Sequence, residues 1–598
     1  MLLRSLLACS ALLIIGCQPS SESSEKPSLE CSQDAFKTLL DHHFEQYLSL
    51  HPLFATAAGH DAYDDKFGDG ISDSWLKQRN ELNTESLSRA QNMDSSCLSA
   101  SEQAAYQDFI RSRQLDLVSE TFPERFLPIN QFYSPVNTLI QYASGESAQR
   151  FDTLWAYQNF QGRSSEFSQW VDLAIERMKE GIESEVVLPR VLSQRIVDQL
   201  DGVLNTPMEQ SILMNPKHNA SKTLQGADIA KAAQIHQRSI EVWVWPALER
   251  LNQFLKSEYM QNSRASDGYW GLPNGRLWYK HYVNSYVDDQ RSLEQIHQLG
   301  ISEVARIHEE MKKVGKALQL STDLPILFRQ LTTDPTYYYE TPEALVAGYE
   351  DLKSTIDPVL PQYFASIPEQ PYEVRRVEPY REANEAGASY QSAPPSSGRP
   401  GIFYINAYNL RAQPKWGMVT LSLHEAAPGH HFQIAQQLSL PMISEYLRYS
   451  SNTAFDEGWA LYAEYLGIEM GLLDEPLDYF GKLSDELLRA MRLVVDTGLH
   501  DKGWTREQAI QYMQDNSPLA PSDVVAEVER YMAIPGQAVS YKLGEQTILE
   551  LRRYAETELG DQFVLSEFHQ QVLKNGSMSM PVLTTSVKNW VDSQVGLK

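Results

Sequence analysis

The sequence predicts a mainly α-helical body with one small β-sheet, arranged as two lobes around a cleft. Three observations carry this reading. Apolar residues recur every three or four positions, with charges between them, over segments 34–50, 101–118, 147–181, 226–257, 292–318, 341–356, 505–516, 540–559 and 562–574. That spacing lays an apolar stripe along one face of a helix. Strand-like stretches are scarce, the best being Gly401-Ile-Phe-Tyr-Ile-Asn-Ala-Tyr408 behind a loop rich in Ser, Pro and Gly at 389–400. No internal repeat and no second low-complexity linker interrupts the chain, so residues 33–598 read as one body with a lobe boundary near residue 335.

The segments ahead of that body read as an export signal and a tether. Arg4 supplies a short positive region, and 6–15 is apolar apart from Ser10. A run of about ten residues is too short to cross a bilayer, which takes ~20. Ile14-Ile15-Gly16-Cys17 resembles a bacterial lipobox, in which Cys17 receives a diacylglycerol and becomes the mature N-terminus. An ordinary cleaved signal with an incidental Cys is the alternative. Residues 17–32 are polar and without apolar period, a composition that suits a flexible tether. Gln18 rather than Asp after Cys17, by resemblance to enterobacterial sorting rules, favours the outer membrane over the inner. The expected location is the periplasmic face of the envelope, with the membrane reached through the lipid alone.

Four Cys are present. Cys9 leaves with the signal and Cys17 carries lipid, so Cys31 and Cys97 remain as an expected disulfide in an oxidising compartment. Net charge is −27, from 78 acidic and 51 basic residues. That balance excludes nucleic acid as a partner, because phosphates demand basic surface.

Chemistry concentrates in Trp416-Gly-Met-Val-Thr-Leu-Ser-Leu-His424-Glu425-Ala-Ala-Pro428-Gly429-His430-His431-Phe-Gln433, where three of the fourteen His fall within eight residues. In a zincin helix two His one turn apart grip Zn²⁺, and a Glu beside the first takes a proton from water at the metal. Here Pro428 stands where the second His belongs. It has no N–H for the His424 carbonyl, so the helix must kink or end there, and Gly429 permits an unusual turn. On a straight helix His431 would lie about 20° from His424; across a break, His430 can swing back instead. The residues alone leave both open. Farther on, Glu457 and Glu464 in Phe455-Asp-Glu-Gly-Trp-Ala-Leu-Tyr-Ala-Glu464 are seven apart and share a helix face among small and apolar neighbours. Glu457 is the expected third ligand. Glu464 or Asp456 is expected to orient a ligand His.

These motifs resemble a widespread family of exported bacterial proteins long catalogued as a domain of unknown function. Its signature His-Glu-x-x-Pro-Gly-His-x-x-Gln is matched by His424, Glu425, Pro428, Gly429, His430 and Gln433. Its Glu-Gly-Trp-Ala-x-Tyr-x-Glu segment is matched from Glu457 to Glu464. Two further matches are Arg492-Leu-Val-Val-Asp-Thr-Gly-x-His500 and Tyr531-x-x-x-Pro-Gly-Gln-Ala-x-Ser-Tyr541-Lys542-x-Gly544. The resemblance spans roughly residues 35 to 590. It implies a zincin-like fold related to helical gluzincins such as thimet oligopeptidase, angiotensin-converting enzyme and the Taq-type carboxypeptidase. The Pro-Gly version of the motif departs from their His-Glu-x-x-His, and the family pattern selects His430 over His431.

The expected function is hydrolysis of short peptides outside the cytoplasm, with one Zn²⁺ per chain on His424, His430 and Glu457 and with Glu425 as general base. By resemblance to the gluzincins, Tyr541 and His500 are expected to stabilise the oxyanion. Arg492, Arg530 and Lys542 are candidates for holding a substrate carboxylate. The strand carrying Tyr404 and Asn406 could pair its edge with an extended peptide. Two rivals remain open: a lipoprotein that captures peptides or cell-wall fragments without cutting them, and an amidase acting on the peptidoglycan stem peptide.

Overall fold

The computed structural model describes residues 33–288, 290–377, 382, 386–393, 398–442 and 444–596. The signal, Cys17, the tether and Cys31 lie outside the described residues. Cys97 is disulfide-bonded.

Helices dominate, at 71% of residues against 3% in strands, so the mainly helical fold class holds. Those needed below are α1 (Gln33–Leu50), α2 (Ala100–Ser119), α3 (Leu154–Glu183), α4 (Gly275–Tyr286), α5 (Leu293–Ala317) and α6 (Pro342–Ile356). After the sheet come α7 (Met418–Glu425), α8 (His430–Ser439), α9 (Thr453–Glu469), α10 (Pro476–His500), α11 (Pro521–Ala533) and α12 (Ser540–Leu559). Local chemistry sets their starts. Ser99 with Glu102 and Ser292 with Gln295 form reciprocal capping boxes on α2 and α5. The Asn452 side chain accepts from Phe455 N–H to open α9, and α10 begins on Pro476, whose missing N–H costs nothing there. None of the described helices is long and apolar enough to cross a membrane.

The sheet has three strands, β1 (Tyr372–Arg376), β2 (Ala388–Gln391) and β3 (Gly401–Ile405), in the order β1-β3-β2. β3 pairs in parallel with β1 and antiparallel with β2. The strand expected from Gly401 is therefore present, but both its edges are taken. Tyr404 is buried, and Asn406 donates to the carbonyl of Glu382 at 2.7 Å. The expectation that this strand offers an edge to a peptide is corrected accordingly.

Apolar clusters run across residue 335. One joins Tyr269, Trp278 and Ile296 to Trp459, Leu543 and Val591; another joins Ile307 and Leu327 to Leu487 and Val528. The site depends on one close crossing, where α9 lies against α12. A Cβ on Gly458 would meet the Gly544 backbone at 2.5 Å, and one on Gly544 would meet Ala454 O at 2.0 Å. Only hydrogen atoms fit between the two backbones, and this brings Tyr541 beside the helix of Glu457. Gly544→Ala should therefore destabilise the protein by about 1–3 kcal/mol through overpacking. Gly202→Ala, where no atom lies within 4 Å, should be neutral or gain up to about 1 kcal/mol. Urea denaturation of both variants checks the contrast.

Candidate metal centre

Helix α7 stops abruptly at Glu425, and α8 restarts at His430. Pro428 offers no N–H to α7. Gly429 passes so close to the helix end that a Cβ would lie 1.9 Å from His424 O and 2.4 Å from Leu423 O. Trp459 of α9 donates its indole N–H to Pro428 O at 2.8 Å, which ties the break to the helix bearing Glu457. His424, in the last turn of α7, and His430, opening α8, thus face one another with ring centroids 4.8 Å apart.

Glu457 Oε2 lies 3.6 Å from His424 Nε2 and 3.3 Å from His430 Nε2. One ligand atom from each of the three residues falls within 4.8 Å of the others. Ligands ~2.0–2.2 Å from a tetrahedral zinc ion stand about 3.3–3.5 Å apart, so the spacing suits one ion. The buried Oε2 of Glu457 has no hydrogen-bond partner. A buried carboxylate oxygen faced only by two imidazole nitrogens is well served by a cation held among all three. Two imidazole nitrogens and one carboxylate oxygen form the three-protein-ligand set of catalytic zinc, with a coordination position to spare. The residues fit the metal.

Glu464, two helical turns beyond Glu457, reaches the other edge of the His424 ring, Oε1 to Nδ1 at 2.8 Å. The two α9 carboxylates thereby grip His424 at both nitrogens, and Glu464 fixes the tautomer that turns Nε2 toward the centre. Arg489 of α10 stands 3.6 Å behind Glu464 and pairs with Asp485 at 3.2 Å.

Charges tune this pocket. Burial works against a charged His424, but the carboxylates of Glu457 and Glu464 outweigh it and hold the imidazole up at about 9. His430 is raised in the same way by Glu457 against burial. Burial would raise Glu457, and the two imidazoles instead hold it well below the usual carboxylate range. His431 contrasts sharply. It packs between Tyr372 and Tyr390, its Nδ1 is 3.0 Å from the Tyr390 hydroxyl, and burial followed by Lys353 pushes it down to about 4. The structure brings His430, not His431, to the metal donors.

Glu425 closes α7, half-buried, near enough for its charge to raise His430. Tyr541 is buried beside the centre, where burial, then the charge of Glu457, raise its hydroxyl and keep its proton on. Arg530 Nη2 donates to the Tyr541 oxygen at 3.0 Å, Gln537 Nε2 approaches it at 3.4 Å, and the Arg492 guanidinium lies 4.3 Å over the Tyr541 ring. Glu527 holds Arg492 at 2.8 Å and stands 3.8 Å from Arg530.

Four expected roles are corrected. His500 is fully buried, its Nδ1 accepts the Tyr269 N–H at 3.1 Å and its Nε2 donates to Tyr531 O at 3.0 Å. With both nitrogens spent on main chain, it cannot serve an oxyanion. Lys542 follows Tyr541 by one residue and so points about 100° away, into a buried ion cluster with Glu486 at 2.8 Å, Glu545 at 2.6 Å and Glu303 at 3.3 Å. Asp456 bonds Ser451 Oγ at 2.6 Å rather than a ligand His. Tyr404 belongs to the inner strand, and Asn406, just past its end, is held by the Glu382 carbonyl, as above. Sequence reasoning missed Arg489, Asp485 and Gln537. The four-residue spacing of Asp485 and Arg489 on one helix was the available signal for the first two.

Fold and site thus define a helical protein with, among the described residues, a His–His–Glu group. The chain belongs to the family described as "Bacterial protein of unknown function (DUF885)", whose model matches residues 52–587. It is similar to a crystal structure from Colwellia psychrerythraea of a protein provisionally called a lipoprotein, at 29% identity and a TM-score of 0.86, over 94% of this chain and 99% of that one. It also resembles, in fold, a protein from Shewanella oneidensis provisionally called a lipoprotein of unknown function. That match has 18% identity and a TM-score of 0.72, over 92% of this chain and 99% of that one. No curated protein matches the chain.

The orienting role of Glu464 is testable. Glu464→Gln should weaken zinc affinity about 10–100-fold in a chelator competition, and His431→Ala should leave it unchanged. Equal losses in the two variants would contradict the assignment.

Proposed function

We propose that this chain is a zinc-dependent peptidase that hydrolyses short peptides outside the cytoplasm, carried on the envelope by a lipid on Cys17. The observation that carries the reading is the convergence of His424, His430 and Glu457 on one point, with Glu425 beside it and Tyr541 across from it. Zinc, when bound by those three residues, supplies acidification of water and polarisation of a carbonyl. The chain's own side chains do the rest. Glu425 accepts a proton from the attacking water at its carboxylate and returns it to the leaving amine. Tyr541, its oxygen already accepting from Arg530, has its own proton to give to the carbonyl oxygen as charge develops there. Arg530, with Arg492 behind the Tyr541 ring, sets a net positive charge beside Glu527 that suits a substrate carboxylate.

Glu425 favours this reading over a binding lipoprotein, because capture alone requires no base at the metal. Export is supported by the lipobox sequence and by the lipoprotein description of the Colwellia relative; Gln18 favours the outer membrane. Glu425→Gln should lower peptide turnover by about 10²–10⁴-fold with zinc content unchanged, read by mass spectrometry of a peptide library. Activity at the parental level in that variant would remove Glu425 from its role.

A further inference from the structure

A cavity of about 650 Å³ opens between α4, the loop leading to Tyr133 and residues 532–535. It adjoins the arginine side of the candidate centre. Two of its lining residues, Tyr133 and Tyr286, lie within electrostatic reach of Arg530. Gln131 Nε2 donates to Glu529 O at 3.1 Å, which fastens the loop before Tyr133 onto α11 one residue from Arg530. On the opposite side Gly536 passes so close to α4 that a Cβ would meet Val283 N at 3.0 Å. The next residue, Gln537, approaches the Tyr541 oxygen at 3.4 Å. One stretch of chain thus closes the cavity and flanks Tyr541.

The charged groups of the wall are engaged within the protein. Arg79 pairs with Glu120 at 3.3 Å and Arg125 with Asp73 at 2.6 Å. Arg264 lies over the Tyr269 ring and donates to the carbonyls of Val187 at 2.9 Å and Ser266 at 2.6 Å. Glu124 is held by the Tyr282 hydroxyl and the nearby charge of Arg79. With those charges matched, ring and aliphatic surface is left for an occupant. Phe122, Phe126, Leu127, Tyr282 and Tyr286 are half-buried in the wall.

Tyr133, also in the wall, is 69% exposed although its loop is firmly tied. Asn130 Oδ1 accepts the N–H groups of Phe132 at 2.8 Å and Tyr133 at 2.7 Å, and Gln199 donates to Gln131 O at 3.0 Å. A fixed aromatic ring left in water gains contact area when an apolar group enters beside it. An apolar cavity next to a few convergent polar groups is the arrangement of a ligand pocket.

We propose that this cavity receives a large apolar side chain from the peptide whose carboxylate Arg530 holds, so that the protein selects peptides ending in an aromatic or branched aliphatic residue. The inference rests on the role given to Arg530 in the reading above. Tyr133 and Tyr286 determine the preference, and Arg530 fixes the end of the chain between them and Tyr541.

Calorimetry reads this without turnover, on the soluble chain, residues 18–598, carrying Glu425→Gln in zinc-containing buffer. Acetyl-Ala-Phe should bind on the order of tenfold more tightly than acetyl-Ala-Gly, and by a similar factor more tightly than acetyl-Ala-Phe-amide. Adding Tyr133→Ala, at an exposed position, should cut the Phe-over-Gly preference by about threefold with an unchanged melting temperature. No binding of acetyl-Ala-Phe, equal binding of the Phe and Gly peptides, equal binding of the acid and the amide, or a preference untouched by Tyr133→Ala would overturn the proposal. Parental protein that shows these affinities yet cuts no peptide would contradict the peptidase reading and uphold the pocket. Parental protein that cuts peptides with no regard for the last residue would do the reverse.

Discussion

The helix break between Glu425 and His430 is the constraint on which the site depends. A continuous helix would carry His424 and His430 to different faces, since six residues turn a helix through 600° and leave them about 120° apart. Ending α7 at Glu425 and restarting at His430 lets both imidazoles close on a third group. The break is tight enough that Gly429 nearly touches the carbonyls of Leu423 and His424, where no side chain fits. Trp459 then clamps the Pro428 carbonyl to α9, so the same helix that positions the turn also supplies Glu457 and Glu464. Position of ligands and position of backbone are one problem with one solution.

Charge explains why this arrangement differs from an ordinary buried histidine cluster. His431, one residue away, sits among tyrosines and is held neutral, as burial dictates for an imidazole without an anion. His424 and His430 instead share Glu457, and the carboxylates reverse the effect of burial. Glu464 is in turn backed by Arg489, and Arg489 by Asp485. The alternation of sign from the centre into α10 lets several charged side chains be buried together, which would be costly for any of them alone.

Much of the helical framework was legible in the sequence, because amphipathic periodicity is local. Segment 540–559 was expected as a helix and α12 spans Ser540–Leu559. The periodicity of segment 226–257 predicts one run, whereas the chain inserts π-helical turns at Ile240–Val244 and Leu255–Tyr259. A 3.6-residue period does not register an extra residue per turn. The outer strands escaped notice because β1, Tyr-Glu-Val-Arg-Arg, earns its place by pairing with a strand about thirty residues on. At the site, the His-Glu pair, the Pro-Gly break and the seven-residue spacing of Glu457 and Glu464 announced the centre. The choice of His430 came from the family pattern, since the residues alone cannot report how a turn bends. The roles of His500 and Lys542 are hidden from the sequence for a related reason. Their partners, the Tyr269 N–H and Glu486, are 231 and 56 residues away, and no spacing rule reaches that far.

The central claim is that three residues form a metal centre, and metal content tests it most directly. Purified soluble chain, residues 18–598, should carry about one zinc per molecule, and His424→Ala and Glu457→Ala should each lose it while remaining folded. A folded parent that takes up no metal even after zinc is supplied would contradict the account.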